Sequence, residues 1–257
     1  MTEIDWQTTR AAVYRGQRQT LRPVRRLDPI GWDQLQGIGP QKAAVAENTE
    51  RFLSGKPANH CLLWGARGTG KSSLVKAMLN RYAPQGLRLI EVDRDDLVQL
   101  PEIVDALEGL PQRFVVYCDD LAFSAGESGY RALKSVLEGS IELPPENVLV
   151  MATSNRRHLL PESMADNRNS DRVDGEIHPA EAIEEQVSLS DRFGLWLSFY
   201  PFRQNTYLQA VDALFPGVAD RQALHRAALQ FALARGGRSG RTAQQFYRHY
   251  AGLERES

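Results

Sequence analysis

The turn Gly65-Ala-Arg-Gly-Thr-Gly-Lys-Ser72 follows directly on the apolar run His60-Cys-Leu-Leu-Trp64 and runs into a helical pattern over Ser72–Tyr82. A short continuous apolar run is what a strand buried on both faces requires. The turn satisfies G-x-x-x-x-G-K-[ST] in the strand–turn–helix setting that gives the pattern its meaning. Glycines let successive backbone N–H groups converge on an anion, and the helix N-terminus adds partial positive charge. The expected ligand is therefore a nucleoside triphosphate. Gly65, Ala66, Arg67, Gly68, Thr69, Gly70, Lys71, Ser72 and Ser73 form the expected binding loop. Lys71 is expected to reach the β- and γ-phosphates, and the Ser72 hydroxyl to ligate Mg²⁺.

The remaining chain has the texture that such a loop needs around it. Leu87–Val92, Phe114–Cys118, Val148–Ala152 and Leu195–Tyr200 are further strand candidates, with helical patterns over Asp96–Leu107 and Gly129–Glu138 between them. This alternation predicts an α/β fold of three layers, with a five-stranded parallel sheet that binds ligands at the carboxyl ends of its strands. After Pro201 no strand candidate occurs, and Asn205–Leu214, Asp220–Arg235 and Thr242–Leu253 read as amphipathic helices of a small subdomain. Gln41–Leu53 reads as a helix closed by Gly55 and Pro57. Residues 1–30 read as an N-terminal arm with a helix over Arg10–Gln19 and a linker from Pro23 to Pro29. The expected division is 1–30 for the arm, 31–201 for the α/β domain and 202–257 for the helical lid.

With 257 residues, 42% hydrophobic and 25% charged, the chain has enough apolar material for a packed core, which excludes wholesale disorder. No run approaches the roughly 20 apolar residues of a membrane span, and the first residues lack a secretory pattern, so a cytoplasmic protein is expected. Cys61 and Cys118 sit inside apolar runs, where a thiol acts as a small hydrophobe. A net charge of −1 gives no overall pull toward nucleic acid or membrane. Its distribution is uneven: Arg10, Arg15, Arg18, Arg22, Arg25 and Arg26 lie between Trp6 and Leu27 with no acid among them. Arg235, Arg238, Arg241 and Arg248 cluster near the other end. Pro161–Val187 is long and rich in acids, which suits a mobile or interface loop better than core. A lone His178 within it gives little ground for a metal or catalytic role.

Three further patterns carry chemistry. Phe114-Val-Val-Tyr-Cys-Asp119-Asp120 is an apolar strand ending in two carboxylates. Asp119 stands where an acid is needed for the magnesium shell, and Asp120 where a base would orient the attacking water. An acidic pair after a strand is otherwise a solvated strand end. Met151-Ala-Thr-Ser-Asn155 puts an amide just past the fourth strand, within reach of γ-phosphate and water, although asparagine is also common at turns. Arg192, in Ser188-Leu-Ser-Asp-Arg-Phe-Gly194, would in isolation be a surface or capping residue. In this setting it can be supplied to a neighbouring subunit's γ-phosphate. Arg241, in Gly236-Gly-Arg-Ser-Gly-Arg-Thr-Ala, opens a helix of the C-terminal subdomain and can report nucleotide state by lid movement, with Arg238 in reserve. The alternative there is a flexible loop with solvated arginines.

Taken together, these elements resemble the AAA+ ATPase module over about residues 30–255: Walker A at Gly65–Ser72, Walker B at Phe114–Asp120, sensor 1 at Asn155, an arginine finger at Arg192 and sensor 2 at Arg241. Asn48-Thr-Glu-Arg-Phe-Leu-Ser-Gly, Cys-Asp-Asp-Leu, Thr-Ser-Asn-Arg-Arg-His-Leu and Leu-Ser-Asp-Arg-Phe-Gly-Leu are similar to a bacterial AAA+ family known only as a domain of unknown function. The resemblance implies ATP and Mg²⁺ as ligands, and Leu35–Gly39 flanking the adenine with Ile38 on the base. Asp120 departs from the Asp-Glu ending of the generic motif by one methylene, which makes slow hydrolysis an expectation.

The leading expectation is an ATPase working as a homo-oligomer on a protein or nucleic-acid client that the sequence does not identify, with no membrane partner. A second reading is an ATP-switched loader or adaptor that reaches nucleic acid through its basic arm. A small-molecule kinase is disfavoured, since no acceptor pocket is evident and the helical subdomain would lack a purpose.

Overall fold

The computed structural model describes residues 4–123, 127–139, 143–157, 159 and 191–250. The acidic segment 161–187 with His178, and residues 251–253 of the expected last helix, lie outside the described residues. Seven strands form one sheet: β1 Ala11–Arg15, β2 Thr20–Pro23, β3 Cys61–Gly65, β4 Leu87–Glu91, β5 Arg113–Cys118, β6 Val148–Ser154 and β7 Leu195–Phe199. Their order is β2-β1-β4-β5-β6-β3-β7. All five expected strands are present, and the expectation of a five-stranded sheet is corrected to seven.

The additional strands come from the basic arm, where a helix was expected over Arg10–Gln19. The spaced arginines imitate a helical period, but Ala11-Ala-Val-Tyr14 is a short apolar run that pairs in parallel with β4, Ala12 opposite Ile90. β2 returns antiparallel, with Tyr14 opposite Leu21 and Arg15 opposite Thr20. Gln19 turns the chain in a left-handed conformation at φ 48°. Gly16 is required nearby: its N–H donates to Asp96 Oδ2 at 3.0 Å, and a Cβ there would lie 1.8 Å from Asp96 Oδ1. Pairing with a distant strand overrides local periodicity, as it commonly does for short segments.

The helices are α1 Gly39–Leu53, α2 Lys71–Tyr82, α3 Leu100–Asp105, α4 Ser128–Glu138, α5 Gln204–Leu214, α6 Arg221–Ala234 and α7 Gly240–Tyr250. The expected helix Asp96–Leu107 divides into a 3-10 stretch, Arg94–Gln99, and the shorter α3. Pro101 explains the break, because a residue without an N–H is tolerated only in a helix's first turn.

Backbone contacts divide the chain into two compact units, each discontinuous in sequence. One comprises Met1–Leu27, Asn48–Trp64 and Tyr82–Leu197, the other Asp28–Glu47, Gly65–Arg81 and Ser198–Ser257.

The first unit is built around the sheet. Phe114, Val116, Cys118, Val148, Val150 and Ala152 from β5 and β6 join Leu97, Ile103 and Leu133 in its core, and the Trp6 ring meets Phe114 edge-on at 5.0 Å. The parallel registers set Cys118 beside Ala152 and Trp64 beside Ser154. β5, β6 and β3 therefore end along the same edge of the sheet. Buried Arg88 ties the N-terminal segment down, donating to the carbonyls of Trp6 at 2.7 Å, Leu87 at 2.8 Å and Ala83 at 3.0 Å. Burial raises the Cys61 and Cys118 thiols to about 12, which fits their reading as small hydrophobes.

In the second unit the helices α5, α6 and α7 enclose Tyr207, Val211, Phe215, Ala228, Ala232, Ala243 and Phe246. Asp220 caps α6 by accepting the Ala223 N–H at 2.9 Å. The Tyr207 hydroxyl donates to the Ala228 carbonyl at 3.1 Å.

Candidate functional site

In the first unit, the acids after β5 and the amide after β6 form one hydrogen-bonded cluster. Asp119 Oδ1 accepts from the Tyr117 hydroxyl at 2.7 Å and from the Thr153 hydroxyl. The Asp120 N–H donates to Thr153 Oγ1 at 2.9 Å, and Asn155 Nδ2 donates to Asp120 Oδ1. Asp120 has φ 50°, in the left-handed region where a non-glycine residue is uncommon and aspartate is among the better tolerated. This turn directs the two adjacent carboxylates differently: Asp119 toward the hydroxyls of β5 and β6, Asp120 toward Asn155. Both acids are exposed while Thr153 beneath them is buried.

Arg192 belongs to the same unit. It pairs with Glu138 at the end of α4, with 17% of the arginine side chain exposed. The partner that the structure gives it is thus an acid of its own chain.

In the second unit, Gly65, Gly68 and Gly70 have φ of 131°, 76° and 104°, conformations open mainly to glycine. A Cβ on Gly65 would lie 2.0 Å from the Phe199 carbonyl oxygen. Lys71 opens α2 and is buried, its ammonium donating to the carbonyls of Gly65 at 2.7 Å and Ala66 at 2.9 Å. Thr69 Oγ1 donates to the Ala66 carbonyl at 2.8 Å. Ser72 and Ser73 are half-buried in the first turn of α2, and Arg67 is exposed at the crown of the loop.

Two expected neighbours of the loop lie beside it. Ile38 is buried, and its Cδ1 stands 3.6 Å from where a Gly70 Cβ would be. At the start of α7 the Gly240 N–H donates to the Gly68 carbonyl at 3.0 Å, and Arg241 Cβ would be 3.3 Å from a Gly68 Cβ. The Arg241 side chain is exposed. Ser239 caps this helix, accepting the Thr242 N–H at 3.0 Å. Arg238, the reserve candidate, donates to Gln204 Oε1 at 3.3 Å.

The sequence reading missed Tyr117, Thr153, Glu138 and Ser239. Thr153 carried a signal: a hydroxyl in a strand buried along its whole length must find a partner. Tyr117 stands two residues before Asp119, and the period of two along a strand puts both on one side.

In the second unit the loop fits the phosphates of a nucleoside triphosphate, with left-handed glycines that admit close backbone approach and a lysine and serines at a helix N-terminus. In the first unit the carboxylates at the end of β5 are of the kind that holds Mg²⁺. Among the described residues no group of three or more His, Cys, Asp and Glu forms a metal site of protein ligands alone. No described helix is long and apolar enough to cross a membrane.

The chain has the fold of AAA+ P-loop proteins. Solved structures with the fold include a point mutant of Thermotoga maritima RuvB, with a TM-score of 0.58 and 16% identity over 88% of this chain and 67% of that one. The Aeropyrum pernix Orc1 protein, solved in complex with DNA, matches with a TM-score of 0.59 and 18% identity over 87% of this chain and 62% of its own. Thermotoga maritima RuvB, described as a Holliday junction branch migration motor, matches with a TM-score of 0.50 and 13% identity over 85% of this chain and 71% of its own. The chain belongs to the family described as "Protein of unknown function (DUF815)", whose pattern matches residues 7–254. No curated protein sequence matches it.

Proposed function

We propose that the chain is a Mg²⁺-dependent ATPase that works as an oligomer and couples hydrolysis to remodelling or loading of a client. The observation that carries this reading is the register of β3, β6 and β5, which ends three adjoining strands on one edge of the sheet. β3 runs into Gly65–Ser73, β6 into Asn155 and β5 into Asp119-Asp120. Ligands of parallel α/β sheets bind at that edge.

In this reading the loop amides and Lys71 bind the phosphates, and Ser72 and Asp119 hold the metal. Magnesium, when bound, neutralises phosphate charge as it develops. Tyr117 and Thr153 orient Asp119. Asp120 and Asn155 hold the attacking water, with Asp120 taking its proton. Ile38 packs on the adenine, Arg241 couples the helical subdomain of residues 202–257 to the nucleotide, and Arg192 acts in the site of a neighbouring subunit once released from Glu138.

The test measures ATP binding and turnover in wild type, Lys71→Ala and Asp120→Asn. The wild type is expected to hydrolyse ATP only with Mg²⁺, and Lys71→Ala to lose binding. Asp120→Asn is expected to bind ATP normally while turnover falls about 10²- to 10⁴-fold. Unchanged turnover in Asp120→Asn would remove the assigned base. A wild type that binds ATP and never hydrolyses it would leave a nucleotide switch in place of an enzyme.

A further inference from the structure

We propose that the β1–β2 hairpin is a sequence-independent docking surface for the phosphate backbone of a nucleic acid. Antiparallel register decides which side chains share a face. Ala12, Tyr14 and Leu21 point into the core of their unit. Arg15 opposite Thr20 and Arg22 opposite Val13 occupy the other face. Arg10 precedes β1, Arg18 sits in the turn, and Arg25 and Arg26 follow β2. All six arginines are exposed, and none pairs with an acid among the described residues. Glu91, opposite Val13 in β4, is the acid that the register puts in the same row.

The hairpin is more basic than edge protection demands. β2 lies at the end of the strand order, and charges or proline on such a strand discourage pairing with other chains. A four-residue strand ending in Pro23 already meets that need. Arg10, Arg18, Arg25 and Arg26 lie outside the two strands and add nothing to edge protection.

The chemistry favours nucleic acid over a membrane. The positive charges of this segment are all arginine, whose planar guanidinium binds phosphate oxygens two at a time. Its aromatic residue, Tyr14, is buried, so the face offers no aromatic side chain to insert among lipids. Because β1 is paired on its other side with β4, the hairpin cannot enter a groove as a free ribbon. It is left to contact the backbone, which confers affinity without sequence preference. This inference does not rest on the ATPase reading.

The test measures binding of the full chain to labelled duplex DNA, single-stranded DNA and RNA by fluorescence anisotropy between about 50 and 200 mM salt, without nucleotide. Phosphatidylserine vesicles serve as the membrane arm. With all six arginines engaged, log K against log salt is expected to fall with a slope of about −5 for a duplex. Arg15→Ala/Arg22→Ala is expected to make it shallower by about 2. Arg15→Lys/Arg22→Lys, and Arg226→Ala in the second unit, are expected to retain the wild-type slope. Melting temperatures confirm that each variant is folded, and the lysine variant holds the charge constant should the alanine pair unfold. The proposal is overturned by absent binding at low salt, by an unchanged slope in the alanine variant, or by binding to vesicles alone.

Discussion

The Asp120 backbone N–H donates to the Thr153 hydroxyl at 2.9 Å, and Asp120 has φ 50°. A left-handed residue costs about 1–2 kcal/mol, so this bond helps hold the acid in an orientation that the free backbone disfavours. The same hydroxyl donates to Asp119. Thr153→Val keeps the shape and removes both bonds. Expected are a loss of about 1–3 kcal/mol in denaturant unfolding and a fall in ATP turnover larger than any fall in ATP affinity. Thr153→Ser restores both quantities. Wild-type turnover in Thr153→Val would show that this hydroxyl does not organise the acids.

Arg192 makes a different kind of prediction, because its partner in the structure is Glu138 and its proposed partner lies in another subunit. Arg192→Ala is expected to cut turnover by about 10³-fold or more at unchanged ATP affinity. Asp120→Asn fails at the other half of the same site. Mixing the two inactive variants creates interfaces that pair an intact Asp120 with an intact Arg192 from the neighbour, so activity should return in proportion to such interfaces. If no mixture recovers activity although the variants co-assemble, Arg192 acts within its own chain, and its bond to Glu138 is its resting role.

Legibility from sequence followed the range of the interactions involved. The placement of Gly65–Ser73 after β3, Asp119 and Asp120 after β5, and Asn155 after β6 was readable because each is a short local pattern: an apolar run, then the residue at its end. The hairpin was not, because β1 is stabilised by pairing with β4, more than seventy residues away, while its spaced arginines imitate a helix. Thr153 and Tyr117 looked like strand residues because their roles depend on which strands adjoin. Glu138 could be joined to Arg192 only by the fold. The left-handed Asp120 leaves no mark in the sequence, since aspartate also serves at ordinary strand ends.

Gly68 tests the link between the loop and α7. A Cβ there would lie 2.9 Å from Ser239 Oγ and 3.3 Å from Arg241 Cβ, on a backbone at φ 76°. Gly68→Ala therefore strains the loop or displaces the start of the helix, and the Gly240 N–H to Gly68 carbonyl bond should lengthen or break. Expected are faster hydrogen exchange at the Gly240 amide and roughly tenfold weaker ATP binding, the size of a left-handed alanine's cost. Unchanged exchange at Gly240 would mean that the loop and the helix start are not coupled.

His60 is expected to make the stability of the sheet depend on pH. Its Nδ1 accepts the Val150 N–H at 3.0 Å, and its carbonyl accepts the Leu195 N–H at 3.1 Å, so it ties the start of β3 to strands on both sides. Accepting at Nδ1 requires the neutral ring, and burial lowers its pKa from 6.5 to about 4. The folded state thus binds fewer protons than the unfolded chain between those values, and stability rises with pH across that interval. His60 contributes its full stabilisation above about pH 6.5 and loses it progressively as the pH falls toward 4. In His60→Asn an amide oxygen can accept the Val150 N–H without titrating. Urea unfolding at a series of pH values should give a wild-type midpoint that drops between pH 6.5 and 4, and a flatter profile in His60→Asn. Parallel profiles for the two proteins would show that other groups carry the acid sensitivity and that His60 titrates normally.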